Sequence, residues 1–356
     1  MKFGKTLMQL SEEITRQQQT KRDFLATTDS MTMSDDAGLF TLFAQGQMHM
    51  GGPQEFGMNN RFHRQLGDTL GIPGSYYDKM RENCPELLAR NVNEWLDREP
   101  SRRMVRTLDG VARAFLSKRY RRIDHCEIME TVLPIIADMG GARVESCEIT
   151  ERRMYLKVVN PRLQAEVKKG DVVQAGIVIS NSEVGEGSVS VQPLVYRLVC
   201  LNGMIVADMG QRKHHVGRAA EEDCELYSDE TLRADDAAFM MKLADVVRTA
   251  VDEAKFAVVV DRLREAAGEP FAGYALPDVV ELTAKQYGLN KTEQGGVLQH
   301  LIEGGDLTRY ALSSAVTRVA QDVEDYDRST ELEGVGWQIV TMSPELWKHI
   351  NQEVTA

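Results

Sequence analysis

The most constraining feature of the sequence is a succession of strand-like segments, separated by tight turns, between about residues 101 and 208. RRMVRTLDGVARAFLS predicts a β-hairpin around Asp109-Gly110, because an Asp-Gly pair readily adopts the backbone of a two-residue turn. RVESCEIT and RMYLKVV predict a second hairpin, and VVQAGIVISNS and SVSVQPLVYRLVCLNGMIV predict further strands around the turn SEVGEGS. One helix, EIMETVLPIIADMG, lies between the hairpins. We therefore expect a mainly antiparallel, hairpin-rich sheet domain with a crossing helix.

Helical patterns flank this sheet domain, so the predicted fold class is α+β. The expected regions are an N-terminal arm and helix at 1–36, a helical region at 37–100, the sheet domain at 101–220 and an acidic helical region at 221–356. In the second region, RFHRQLGDTLGIPGSYYDKMREN predicts two helices with a break that contains Pro73. A helix-turn-helix DNA reader has this outline, but the second helix is not strongly basic, which favours an ordinary helical hairpin.

The charges are unevenly distributed along the chain. The net charge is −12, which argues against a protein coated all over with nucleic-acid-binding residues. Basic residues nevertheless concentrate between Arg102 and Arg122, whereas acidic residues concentrate between Glu221 and Asp236. One basic block therefore lies in an otherwise acidic molecule.

The basic block is the best functional candidate. Guanidinium forks suit phosphate oxygens, and aromatic rings among them can stack on unpaired bases. The candidate nucleic-acid-binding residues are Arg102, Arg103, Arg106, Arg113, Phe115, Lys118, Arg119, Tyr120, Arg121 and Arg122, with Arg197, Arg212 and Lys213 as secondary candidates. The alternative is that the arginines pair with the acidic C-terminal helices or across a subunit contact. Both interpretations stay open at this point.

Other motifs give no catalytic or metal site. SEVGEGS lacks the pattern of a phosphate-binding loop, and Glu183 and Glu186 would repel a phosphate, so a hairpin turn is favoured. QRKHHVGR contains adjacent histidines, which cannot face one ligand on a regular element, and it is interpreted as a second basic patch. Neither a nucleophile motif such as G-x-S-x-G nor H-E-x-x-H is present. We predict a non-catalytic protein that uses no cofactor and no metal.

The same sequence carries no targeting signal that we recognise. No apolar stretch approaches the roughly 18 residues of a membrane span, and the N-terminal segment lacks the apolar core of a secretory signal. The five cysteines are scattered, which favours unpaired thiols. We expect a soluble protein of the host-cell cytoplasm with no membrane partner.

Four segments carry a family resemblance: NVNEWL, RAFLSKRYRRIDHCEIMETVLP, GIVISNSEVGEGSVSVQPLVYRLVCLNGMI and YALSSAVTRVAQDVEDYDRSTELEGVGWQIV. Together they resemble the phage- and plasmid-borne family catalogued as domain of unknown function 932, over about Asn91 to Val340. The stretch from Ser180 to Gly203 is the most specific part. The resemblance implies a product of a mobile element, encoded near replication and recombination functions, and it implies no assigned activity.

A weaker likeness is to single-strand annealing proteins of the Rad and Red type, which have a hairpin-rich sheet, a basic groove and ring or filament assembly. Their annealing domains are basic overall, whereas this chain is acidic. The leading hypothesis is a phage-encoded, DNA-associated protein that binds single strands, self-assembles and assists annealing, recombination or replication. The rival hypothesis is a protein-interaction or counter-defence factor whose acidic helical region acts on a host protein.

Overall fold

The protein contains two mostly antiparallel β-sheets with helices packed around them. The computed structural model describes residues 1–43, 52–213, 229–249, 253–271 and 276–352. The N-terminal sheet consists of β1 (Arg22–Thr27), β2 (Met31–Met33), β3 (Leu39–Leu42), β4 (Gln54–Met58), β5 (Arg102–Leu108) and β6 (Val111–Ser117). The central sheet consists of β7 (Arg143–Ile149), β8 (Met154–Lys168), β9 (Asp171–Asn181), β10 (Val189–Arg197), β11 (Asn202–Ile205) and β12 (Gln211–Lys213).

The strand order shows how distant segments of the chain meet. The N-terminal sheet has the order β1-β5-β6-β4-β3-β2, in which the pair of β4 and β6 is parallel. The central sheet has the order β11-β10-β9-β8-β7, with β12 beside β10. The hairpin of β5 and β6 therefore lies in the first sheet, although the next strands in sequence build the second.

Twelve helices occur in the described residues. In the N-terminal half they are α1 (Leu7–Thr20), α2 (Asn60–Thr69), α3 (Gly74–Asn83), α4 (Pro85–Arg98) and α5 (His125–Asp138). In the C-terminal half they are α6 (Asp229–Thr249), α7 (Glu253–Ala267), α8 (Leu276–Tyr287), α9 (Lys291–Gly304), α10 (Arg309–Val319), α11 (Tyr326–Val340) and α12 (Pro344–Gln352). Within the described ranges, no helix combines the length and the apolar composition that a membrane crossing requires.

Helices cover the sheets according to the alternation of side chains along each strand. One face of the N-terminal sheet packs against α2, α3 and α4 around Phe62, Leu88 and Val105. One face of the central sheet packs against α1, α5 and α6, and its opposite face packs against α7, α10 and α11. The central strands are apolar on both faces for this reason, as the alternation of Ile177 and Val178 between two cores shows.

The predicted α+β class and the main hairpins are confirmed. β5 and β6 pair antiparallel, and Asp109 and Gly110 both have the positive φ angles that their turn requires. The crossing helix is α5, which begins with a capping box formed by Asp124 and Glu127. The turn SEVGEGS joins the antiparallel strands β9 and β10, as expected.

The predicted regional boundaries differ from the structure in the first hundred residues. Residues 1–36 are not an arm, because Leu10 is fully buried and β1 is paired with β5. Residues 37–100 contain β3 and β4 in addition to helices. These strands are short and their sequences lack a clear alternation, so their stability comes from pairing with other strands, β4 with β6 and β3 with β2 and β4, rather than from a recognisable local pattern.

The close packing of the central sheet leaves no room for a side chain at Gly176 in β9, and this can be tested by substitution. A Cβ at this position would lie 2.4 Å from the backbone oxygen of Val158 in β8. We predict that Gly176→Ala lowers the free energy of unfolding by about 2–3 kcal/mol, because backbone must move to admit the methyl group. Gly334→Ala in α11, where a Cβ meets nothing within 4 Å, should instead stabilise by about 0.5–1 kcal/mol. Chemical denaturation measures the free energy of unfolding of both variants. Equal changes in Gly176→Ala and Gly334→Ala would contradict the close approach of β8 to Gly176.

Candidate nucleic-acid interface

Arg106, one of the candidate phosphate ligands, lies inside the protein. Its side chain is 0% exposed, and its Nε and Nη2 donate to the carboxylate of Asp23 in the neighbouring strand β1. Nη2 also donates to Asp124 at 2.7 Å, and Nη1 donates to the backbone oxygen of Glu183 at 2.9 Å. Burial alone would lower the pKa of Arg106, but the charges of Asp124 and Asp23 outweigh it and raise that pKa.

Glu183 is the acidic centre of the same cluster. Its carboxylate accepts from Arg113 at 2.6 Å, from Lys21 at 3.3 Å and from the backbone N–H of His125 at 2.8 Å. A β-bulge between Arg106 and Thr107 lets Arg113 reach this carboxylate from β6. Burial would raise the pKa of Glu183, yet the surrounding positive charges lower it. The turn after β9 is thereby bound to the N-terminal sheet.

The two aromatic candidates are also inside the protein. Phe115 belongs to the core beneath α2, where its ring lies edge-on to Phe40 and Phe62. Tyr120 is buried, and its hydroxyl donates to the backbone oxygen of Ser182 at 3.0 Å. Neither ring is placed to stack on a base. Arg106, Arg113, Phe115 and Tyr120 are therefore dropped from the candidate interface.

Three further candidate arginines are paired with acids. Arg121 contacts Asp235 and Asp236 of α6, which matches the alternative of pairing with the acidic C-terminal helices. Arg122 pairs with Asp23 at 3.5 Å but keeps more than half of its side chain exposed. Arg197 donates twice to Asp171, and its guanidinium lies over the ring of Tyr310.

Two secondary candidates, Arg212 and Lys213, are described by their backbone alone, which pairs with β10. The histidines of QRKHHVGR and the acids from Glu221 to Glu225 lie outside the described residues. In the part of the chain that is described, no three His, Cys, Asp or Glu side chains converge as a metal site would require.

Four candidates remain at one end of the N-terminal sheet, and we call them the sheet-end patch: Arg102, Arg103, Lys118 and Arg119. The ladder places Arg103 opposite Ser117, so Arg102 and Lys118 are the next residues outward on the two strands. Arg102, Lys118 and Arg119 are exposed, whereas Arg103 is half-buried and burial lowers its pKa. No described acid lies within ion-pair distance of Arg102, Arg103 or Lys118. These cations are therefore available to a ligand.

A partly exposed tryptophan that precedes the sheet-end patch by a few residues in sequence was not among the predicted residues. Trp95 in the last turn of α4 is 37% exposed, and the guanidinium of Arg98 lies 5.7 Å from its ring centroid. Only three residues separate Arg98 from Arg102, so their Cα atoms lie within about 14 Å. The motif W-x-x-R directly before the basic strand is the sequence signal that could have found it.

A groove on another side of α4 carries the opposite charge. Its lining includes Asp29 and Asp35 from the N-terminal segment and Glu86, Glu94 and Asp97 from α4. A nucleic-acid backbone is repelled by this surface.

The comparison with protein families concerns the middle of the chain. Residues 113–270 match the family model described as Domain of unknown function (DUF932). This segment is similar to the DUF932 family. No curated protein and no solved structure matches the chain.

The DUF932 segment is narrower than the stretch from Asn91 to Val340 that shows the resemblance in sequence. It runs from β6 to just beyond α7 and contains Lys118 and Arg119, whereas Arg102 precedes it. The suspected family is confirmed for these residues. The likeness to single-strand annealing proteins stays a prediction.

The buried cluster predicts a large effect of a change at Glu183. Glu183→Gln removes the negative charge that faces Arg113 and Lys21, and we expect the free energy of unfolding to fall by about 3 kcal/mol. Glu148→Gln, which removes the more exposed ion pair with Lys5, should cost less than about 1 kcal/mol. Urea denaturation at neutral pH measures the free energy of unfolding of both variants. Similar small losses in both variants would show that the cluster does not hold the sheets together.

Proposed function

We propose that this protein binds single-stranded DNA at the sheet-end patch and has a non-catalytic role in the annealing or protection of strands. The observation that carries the proposal is the group of cations without acidic partners, Arg102, Arg103 and Lys118, on neighbouring strand ends. The other basic residues of the hairpin have internal partners. The cations that remain are those that a phosphate backbone can neutralise.

Single-strand rather than duplex binding is favoured by Trp95. A tryptophan face stacks on an unpaired base, whereas the bases of a duplex are already stacked on one another. Trp95 precedes Arg102 by seven residues in the chain, and one aromatic surface with a short run of cations suits a few nucleotides. The proposal includes the phage-associated role in replication or recombination that the family resemblance implies.

The small number of cations sets the expected strength and salt dependence. Three phosphate contacts on a single strand, from Arg102, Arg103 and Lys118, give a slope of about −2 for the logarithm of the binding constant against the logarithm of salt concentration. Binding is therefore expected at low salt and should weaken steeply toward physiological salt. The acidic groove on α4 adds to this dependence, because salt also screens its repulsion.

The test is fluorescence anisotropy with a labelled thymidine oligonucleotide, titrated at several salt concentrations beside a duplex control. We predict saturable binding to the single strand, and a loss of at least about ten-fold in the double variant Arg102→Glu/Lys118→Glu. Trp95→Ala should also cost about ten-fold, with an unchanged salt slope, because it removes a stacking contact and no charge.

The matched control is Lys285→Glu, a charge reversal at an exposed position of α8 in the C-terminal helices. It should leave the affinity unchanged within about two-fold, since α8 is remote in sequence from the patch and any residual effect comes only through net charge. If all three variants weaken binding equally, the interaction is non-specific. If the wild-type protein does not bind at low salt, the proposal is overturned.

A further inference from the structure

A second group of arginines surrounds Glu186 in the turn between β9 and β10. The Arg61 guanidinium, at the start of α2, forms an ion pair with one carboxylate oxygen of Glu186. Arg152 Nε lies 3.4 Å from the other oxygen, and Arg153 Nε donates to the backbone oxygen of Glu186 at 2.8 Å. Two guanidiniums therefore contact the carboxylate of Glu186, and a third contacts the backbone oxygen of the same residue.

The arginine cluster, defined as Arg61, Arg152 and Arg153, carries more positive charge than Glu186 neutralises. The Arg61 side chain is only 8% exposed, and its Nε is buried without a hydrogen-bond acceptor. Burial, together with the charge of Arg152, lowers the pKa of Arg61 to about 10, so the group remains protonated at neutral pH. A buried cation with unused donors is costly unless an anion supplies more acceptor oxygens than one carboxylate does.

Two further acids, Glu151 and Asp327, act on Arg61 and offset part of this surplus. Asp327, which also acts on Arg61, already accepts from the hydroxyls of Tyr155 and Thr150. Arg64, one turn along α2, adds a further positive charge. Arg61 is the second residue of α2, so the positive end of the helix dipole points toward the same place.

The cluster is open to solvent on the side of Glu186. Glu186 is 30% exposed and Arg152 is 42% exposed, so a small anion can approach the guanidiniums without a rearrangement of the core. Glu186 lies between Gly185 and Gly187, which both have positive φ angles, and hydrogen bonds from its backbone N–H to Ser182 Oγ and from Arg153 to its backbone oxygen hold the turn independently of the carboxylate. Glu186 thus occupies the position that a ligand anion would take.

We propose that the arginine cluster binds a phosphate group, which replaces the carboxylate of Glu186. Guanidinium forks bind phosphate oxygens in pairs, and a phosphate offers the additional acceptor that the Nε of Arg61 lacks. The phosphate comes either from the 5′ end of a nucleic-acid strand or from a free nucleotide. The site is independent of the sheet-end patch, although Gly185 of the same turn lies against Leu116, two residues before Lys118.

Isothermal titration calorimetry at fixed ionic strength tests the site with inorganic phosphate. We predict saturable binding to the wild-type chain and binding at least ten-fold tighter in Glu186→Gln, which retains the shape of the side chain and removes the competing charge. Arg152→Gln, at a half-exposed position, should weaken binding at least ten-fold. The control is Arg143→Gln, which removes an exposed arginine of β7 that pairs with Glu145, and it should change nothing.

The source of the phosphate is distinguished by three probes: thymidine monophosphate, and a short oligonucleotide with and without a 5′-phosphate. Tighter binding of the phosphorylated oligonucleotide identifies a strand end, whereas equal binding of the monophosphate identifies a nucleotide. Each titration is repeated in Arg102→Glu/Lys118→Glu, in which phosphate binding should persist even if the sheet-end patch is lost. Phosphate binding that is absent, or that is the same in Glu186→Gln, Arg152→Gln and the wild type, overturns the proposal.

Discussion

The contact on which the architecture depends is the buried charge cluster between Arg106, Asp23, Asp124 and Glu183. Arg106 comes from the N-terminal sheet, whereas Glu183 follows the end of β9 in the central sheet. The two sheets therefore meet through ions rather than through apolar contacts alone. Because a buried charge without its partner is strongly destabilising, each member of the cluster requires the others to be in place. The cluster gives the relative placement of the sheets a specificity that apolar packing does not provide by itself.

This constraint also decides which part of the basic hairpin faces solvent. The middle of β5 and β6 is covered by the turn after β9, and Arg106 and Arg113 are held there by Glu183. The strand ends lie beyond that turn, so Arg102 and Lys118 remain exposed. One run of basic residues is thus divided into buried ion pairs in its middle and exposed cations at its end.

Local sequence patterns predicted the elements well but not their partners. The Asp109-Gly110 turn, α5 and the strand pairs of the central sheet follow from turn chemistry and side-chain periodicity. The alternation of side chains along a strand cannot predict that Arg102 is exposed and Arg106 buried, because both residues lie on the same face of β5. Their different burial results from the turn at Glu183, which is 77 residues further along the chain. In the same way β1 was missed, because its stability comes from pairing with β5 rather than from its own residues.

Hydrogen–deuterium exchange, measured with and without a saturating thymidine oligonucleotide at low salt, tests the account of the basic hairpin most directly. We expect new protection in the peptides that contain Trp95, Arg102 and Lys118. The middle of β5, around Arg106, should exchange slowly in both states because it is already buried. Protection confined to the C-terminal helices, or fast exchange around Arg106 that slows only when DNA binds, would contradict the division of the hairpin into a structural middle and a binding end.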